Sequence, residues 1–274
     1  MVSYAQNGED VVLARVFGDR ADGYYIDVGA FAPDHGSVTK HFYDRGWHGI
    51  NVEPARAAFE RLRTARPRDV NLNICISDRA GLATFYESAE TERSTLSAEV
   101  AADLRAAART VEVRPLADVC AEYAPDHIDF LKVDVEGHEA EVIAGADWSR
   151  WRPVVLVIEA TEPGTRVPSQ ARWEHRLLEA DYEFALFDGL NRFYVRAEDR
   201  ALLPRLAAPA NPLDGFVPHR HQRALDELTA ARRELRRLRM KLHRRDRRIR
   251  LLEARLAGPY GLSGQATGVA RAPL

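Results

Sequence analysis

The chain has 274 residues, 46% of them apolar and 29% charged, a balance suited to one large soluble α/β domain with an appendage, or to two small domains. Two cysteines, Cys75 and Cys120, exclude a disulfide framework and fit a reducing, cytoplasmic compartment; Met1–Asp10 lacks the pattern of an export signal, and no apolar run reaches the ~18 residues of a membrane span. The net charge of -2 hides an asymmetry, since residues 220–255 carry 14 Arg and Lys against 5 Asp and Glu, which leaves the rest at -11 and argues against a nucleic-acid-binding face on the body.

Short apolar runs alternate with amphipathic stretches from residue 1 to about 198, the pattern of a mostly parallel sheet flanked by helices. Tyr24–Val28 and Gly49–Val52 read as buried strands, with a short helix at 37–44 between them. A helix follows at 54–64, a third strand at 70–76, an extended segment at 82–86, an Ala-rich helix at 97–109 and another extended segment at 111–116. Phe130–Val133 and Val154–Ile158 are further buried strands, separated by a short helix at 140–145. A helix at 170–180 then leads to two apolar runs joined at Asp188-Gly189, a turn signal for an antiparallel hairpin that closes the sheet. Phe187-Asp188-Gly189 also spells a kinase tripeptide, but no other kinase motif accompanies it.

Four prolines mark 199–219 as a linker that either wraps over the domain or leaves it. Beyond it Leu228, Leu235, Leu242, Ile249 and Leu256 recur every seven residues, with Ala231, Leu238, Arg245 and Leu252 three further on, so 220–257 reads as a basic coiled-coil helix. Residues 258–274 have the composition of a disordered tail.

Three residues suggest a site for a nucleoside-bearing cofactor. Gly29, at the turn after the first buried strand, permits close backbone approach; Glu53, ending the second, is placed to accept ribose hydroxyls; Asp27 could hold an amino group directly or through water. Alone, they fit an ordinary strand turn with a surface glutamate equally well. A nicotinamide-dependent oxidoreductase is the weaker reading because Asp27–Pro33 lacks G-x-G-x-x-G spacing.

Seven motifs in order decide between these readings. Gln6–Asp10, Tyr25–Ala30, Gly46–Pro54, Asn73–Ser77, Ser94–Leu96, Asp129–Glu139 and Ile158-Glu159 together resemble the FkbM-type methyltransferase family over about residues 3–196. The resemblance implies a class I Rossmann-like fold and an S-adenosylmethionine-dependent O-methyltransferase acting on a hydroxyl of a sugar, glycan or natural product. It puts Asp27, Gly29 and Glu53 on donor-binding positions, Ile76 and Ser77 beside the adenine, and Asp134 at the end of the fourth strand facing the acceptor. The chain departs from many class I enzymes at Ala30, Ala32 and Pro33, where a second glycine is common.

Methyl transfer to an alcohol is an in-line displacement that needs alignment and a group to take the hydroxyl proton. Asp134 is the expected acceptor-orienting base, with Glu136 on its side of the strand and His138 as an alternative base or hydrogen-bond partner. Glu139 and Glu141 read as first-turn acids of a helix. Magnesium on Asp134, Glu136 and Glu159 is chemically conceivable, but the three lack a ligand spacing, so no metal site is assigned. Gln6, Gly8, Glu9 and Asp10 read either as a donor-covering lid or as a helix start, and Ser94 and Thr95 as part of an acceptor-contacting loop.

The tail is expected to pair with a copy of itself or with another helix. Its like charge disfavours a parallel homodimer and points to an acidic partner, while contact with an anionic membrane is a second reading. Nucleic acid is not an expected partner, because no aromatic residue interleaves the arginines of 220–255. The functional alternative is a non-catalytic methyltransferase-fold module whose coiled coil mediates assembly.

Overall fold

The structure, a computed structural model, describes residues 1–88, 94–96, 98–101 and 106–258. The expected disordered tail therefore lies, Gly258 apart, outside the described residues. In chain order the first elements are β1 (Val2–Ser3), α1 (Glu9–Phe17), β2 (Tyr24–Val28), α2 (Lys40–Asp44), β3 (His48–Val52), α3 (Arg56–Ala65), β4 (Val70–Leu72), β5 (Cys75–Ser77) and β6 (Gly81–Ser88). There follow α4 (Ala98–Ala101), β7 (Ala106–Pro115), α5 (Leu116–Tyr123), β8 (Phe130–Val133), α6 (Glu139–Ala144) and β9 (Val155–Glu159). The last are α7 (Glu174–Glu179), β10 (Tyr182–Phe187), β11 (Asn191–Arg196), α8 (Leu203–Leu206), β12 (Val217–Pro218) and α9 (His219–Leu256).

The main sheet has seven strands in the order β10-β11-β9-β8-β2-β3-β4. From β9 to β4 all neighbours are parallel, whereas β11 runs antiparallel to both β9 and β10. The chain thus winds outward from β2 through β3 to β4, and then in the opposite direction from β8. Between β2 and β8 lies the switch point where open α/β sheets bind ligands, at the carboxyl ends of their strands.

The central strands read as largely apolar runs, broken by Asp27 in β2 and Lys132 in β8, because both sheet faces are covered. Ile26, Val28, Leu131, Val133, Leu156 and Ile158 face one side, against α5, α6 and α7; Tyr25, Phe130, Val155, Val157, Phe193 and Val195 face the other, against α1 and α2.

Two expected elements differ. The single strand expected at 70–76 is two, β4 in the main sheet and β5 in a separate three-stranded sheet of order β5-β7-β6. Asn73 stands at the break, its side-chain amide donating to the carbonyls of Glu53 and Pro54 at 2.9 and 2.7 Å, so the chain turns there toward the end of β3. The helix expected at 97–109 is confined, among the described residues, to α4; residues 106–109 belong to β7, where antiparallel pairing with β6 overrides the helical preference of alanine.

Of the two courses open to 199–219, the chain takes the first and wraps the domain. Leu206 is fully buried, and Arg15 of α1 binds Asp214 through Nε and Nη2 at 2.7 and 2.6 Å. Two compact units result, Met1–His219 and Arg220–Leu274. Within the second, the described chain is uninterrupted helix to Leu256. Among the described residues no helix is long and apolar enough to cross a membrane.

Candidate active site

A cleft of about 910 Å³ opens over the carboxyl ends of β2, β3, β8 and β9. Its floor is set by one glycine. Gly29 adopts φ +84°, its N–H and that of Ala30 both donate to the Val52 carbonyl, and a Cβ at this position would stand 1.8 Å from the Asp134 carbonyl oxygen. The turns after β2 and β8 are therefore in backbone contact, which a side chain at residue 29 would break.

At one end of the cleft Glu53 is 6% exposed and accepts two backbone hydrogen bonds, from Phe31 N–H on one carboxylate oxygen and Ala55 N–H on the other, both 2.7 Å. These fix the carboxylate plane and leave lone pairs for a ligand's hydroxyls. Burial, the larger influence, outweighs the two N–H donors and pushes the Glu53 carboxyl up to about 7. Phe31 sits at φ +48°, and the loop after it is anchored from below by the buried Arg66, which donates to the Pro33 carbonyl and to Ser37, each at 3.0 Å. Arg66 stays buried because its charge meets Asp69 at 3.7 Å, and that carboxylate also binds Tyr25, Gly49 and Asn51.

Ile76 lines the same end, whereas Ser77 sits just behind the wall with its hydroxyl 3.0 Å from His138 Nε2. His138 Nδ1 is 3.3 Å from Glu141, so both ring nitrogens are engaged, and burial holds the imidazole below its usual pKa. The histidine belongs to the Ser77 side of the cleft.

At the other end the floor is ionic. Lys132, buried at the end of β8, donates to the Gly29 carbonyl at 2.6 Å and stands 3.3 Å from Asp27 and 3.5 Å from Asp134. Burial alone would depress the ammonium; the two carboxylates hold it above its ordinary value. Asp27 lies beneath the cleft rather than in its wall, and its carboxyl is raised by burial despite Lys132. Asp134 does line the cleft, its side chain 30% exposed, as do Glu136 and Glu159. The β8–β9 register pairs Val133 with Ile158, so Asp134 and Glu159 emerge side by side. Glu159 is 7% exposed, its Oε2 meets no hydrogen-bond donor among the described residues, and burial together with the Asp134 carboxylate drives its pKa far up.

Glu139 and Glu141 stand in the first turn of α6, as expected, and Glu139 is buried there. It is 2% exposed and its Oε1 accepts the N–H groups of Val135 and Gly137 at 3.2 and 3.1 Å, shaping the turn in which Glu136 takes φ +54°. Glu9 and Asp10 start α1, as one of their two readings expects, and both are buried fasteners: Glu9 binds Asn7 N–H and Asn191 at 2.8 Å each, Asp10 binds Ser3 and Tyr4 N–H at 2.6 and 2.8 Å. Of Gln6, Gly8, Glu9 and Asp10, Gln6 lines the cleft. Thr95 donates to the Glu136 carbonyl at 3.0 Å, which brings the 94–96 segment over the cleft.

Among the described residues no group of three or more His, Cys, Asp or Glu side chains is arranged to hold a metal ion. The Lys132 ammonium stands between Asp27 and Asp134. Lys132 and Arg66 were not legible as site residues in the sequence; the one available signal was a lysine inside the apolar run Phe130–Val133.

Cleft and sheet order define an α/β methyltransferase domain. The family model for the FkbM methyltransferase domain matches residues 27–184, and the chain belongs to that family. A curated relative, methyltransferase sdnD of Sordaria araneosa, is 43% identical over 76 residues, 24% of this chain and 29% of that protein, so the match spans under a third of the relative's length. Among solved structures, a TehB-like SAM-dependent methyltransferase from Corynebacterium glutamicum aligns at TM-score 0.39 and 9% identity, covering 69% of this chain and 87% of that one. The O-methyltransferase from Bacillus cereus, in complex with SAH, aligns at TM-score 0.33 and 14% identity, covering 69% and 80%.

Proposed function

We propose that the domain is an S-adenosylmethionine-dependent O-methyltransferase whose acceptor is a hydroxyl of a sugar, glycan or natural product. The observation that carries this reading is the polarity of the cleft: a glycine turn and a doubly hydrogen-bonded glutamate at one end, a cleft-facing aspartate on a buried lysine at the other. The residues fit the donor. Glu53 offers carboxylate lone pairs to two ribose hydroxyls, Ile76 an apolar surface for the adenine, and the Gly29 turn a side-chain-free approach. S-adenosylmethionine, when bound, supplies a methyl group activated by the sulfonium, whose C–S electron pair returns to sulfur as the new bond forms.

The chain's own groups do the rest. Asp134 accepts a hydrogen bond from the acceptor hydroxyl, aligns its oxygen, and takes its proton as the O–C bond forms. Lys132 holds the Asp134 side chain by an ion pair, and because it also grips the Gly29 carbonyl it ties the acceptor end to the donor turn. Burial and the neighbouring Asp134 carboxylate push the Glu159 carboxyl toward its neutral form, which keeps a second full charge from standing beside Asp134. His138, held by Ser77 and Glu141, supports the donor end.

The deciding experiment is calorimetric titration of the folded chain with S-adenosylmethionine, followed by transfer of a labelled methyl group to hydroxylated acceptors. A folded protein without donor binding leaves only a non-catalytic module.

A further inference from the structure

Summed over the tail, charge argues against self-pairing. Taken position by position, it argues the reverse. The seam of α9 faces solvent along its length: Leu228, Leu235, Leu238, Leu242, Ile249 and Leu252 are 43–51% exposed. A helix with apolar a and d positions and polar residues elsewhere needs a second helix to take that seam out of water.

With Leu228 at a, the g positions hold Glu227, Glu234, Lys241 and Arg248, and the e positions Arg232, Arg239, Asp246 and Glu253. In a parallel, in-register pair each g residue faces the e residue five further along the other strand. The four contacts are Glu227 with Arg232, Glu234 with Arg239, Lys241 with Asp246 and Arg248 with Glu253. Each is of opposite sign, and the order reverses halfway, from acid at g to base at g. A slip of one heptad forward would set Glu234 against Asp246, and one backward Lys241 against Arg239. The eight residues of these four contacts carry no net charge; two further g positions, Arg220 and Arg255, face none of them, and most of the tail's basic surplus falls on the outer positions, among them Arg233, Arg236, Arg237, Arg244, Arg247 and Arg250.

Two ion pairs already within the helix, Arg223 with Glu227 at 3.5 Å and Arg237 with Glu234 at 3.8 Å, are exposed and therefore weak enough to exchange. Arg245 at d is the single basic break in the seam; its stem can lie along the apolar surface, with Asp246 at the next e position beside it. A β-branched residue at a with leucine at d suits two strands, a pattern that Ile249 and Leu252 meet.

We infer that α9 takes a second copy of this chain as its partner, in a parallel, in-register, two-stranded coiled coil. Light scattering of the full chain should then give twice the chain mass, and the pair Leu235→Glu with Leu242→Glu should return it to the chain mass. Reversing two g charges, Glu227→Lys with Glu234→Lys, should weaken self-association on the order of tenfold, as should the e-side reversal Arg232→Glu with Arg239→Glu. An equimolar mixture of those two variants should restore dimers, because each then meets opposite charge.

Orientation is read separately by oxidative cross-linking, with little background because Cys75 and Cys120 are buried. Leu228→Cys chains should link to one another, and a mixture of Leu228→Cys with Leu252→Cys should give no 228-to-252 link. A wild-type monomer overturns the inference, including one that binds anionic phospholipid vesicles or an acidic helix. So does a 228-to-252 link, which reports an antiparallel pair, or charge-reversed variants that self-associate as tightly as wild type.

Discussion

The two ends of the cleft are built by different means. At the donor end geometry is held by the backbone: Gly29 must be glycine because the Asp134 carbonyl occupies the place of its Cβ, and Glu53 is set by the N–H groups of Phe31 and Ala55. At the acceptor end it is held by charge, with one ammonium between two carboxylates and a third carboxyl close by. A backbone-built end tolerates no change in shape, and a charge-built end no change in ionisation. The two should therefore fail differently when perturbed.

The largest effect is expected at Lys132, whose ammonium meets both the Gly29 carbonyl and Asp134. Lys132→Met keeps the bulk but strands Asp27 and Asp134 as uncompensated carboxylates, at a cost of about 3–5 kcal/mol in denaturant unfolding. Gly29→Ala comes next. It should abolish donor binding by calorimetry and cost on the order of 3 kcal/mol, because both the left-handed φ and the contact with the Asp134 carbonyl forbid a methyl group. Asp134→Asn should leave the fold and donor affinity unchanged and lower turnover about 100-fold or more, which separates the acceptor end from the donor end. Glu159→Gln, shaped like the neutral acid, should change turnover only a fewfold; a loss as deep as that of Asp134→Asn would show that Glu159 works ionised.

Acidity sharpens the comparison with opposite signs. Glu53 is raised to about 7, so donor affinity should fall as pH drops through 7, by roughly tenfold between pH 8 and 6 if binding needs the carboxylate. Stability should move the other way. Glu9, Glu53 and Glu139 are each raised from 4.5 to about 7 by burial, so between those values the folded chain binds more protons than the unfolded one, and the melting temperature should rise as pH falls from 8 to 6.

The donor end was legible in the sequence because backbone demands leave marks on single residues: a glycine after an apolar strand, an acid at the end of the next. Asp134 was legible as a strand-end carboxylate. Lys132 was not, since an apolar strand with one lysine does not say which carboxylates will meet it, and Asp27 consequently faces that lysine beneath the cleft instead of lining it. Ser77 and His138 were each read from the sequence as candidate site residues, but their mutual hydrogen bond joins β5 to the start of α6 and exists only after folding. The same limit explains Asn73, where side-chain bonds to distant carbonyls split one apolar run into strands of two sheets.

Donor binding at the Gly29–Glu53 end of the cleft is tested most directly by calorimetric titration of the full chain with S-adenosylhomocysteine at pH 8, run in parallel on Asp134→Asn. A donor site there gives saturable binding of one molecule per chain with the same affinity in both proteins. Absence of binding in a folded wild-type sample, or a loss of affinity in Asp134→Asn, would contradict it.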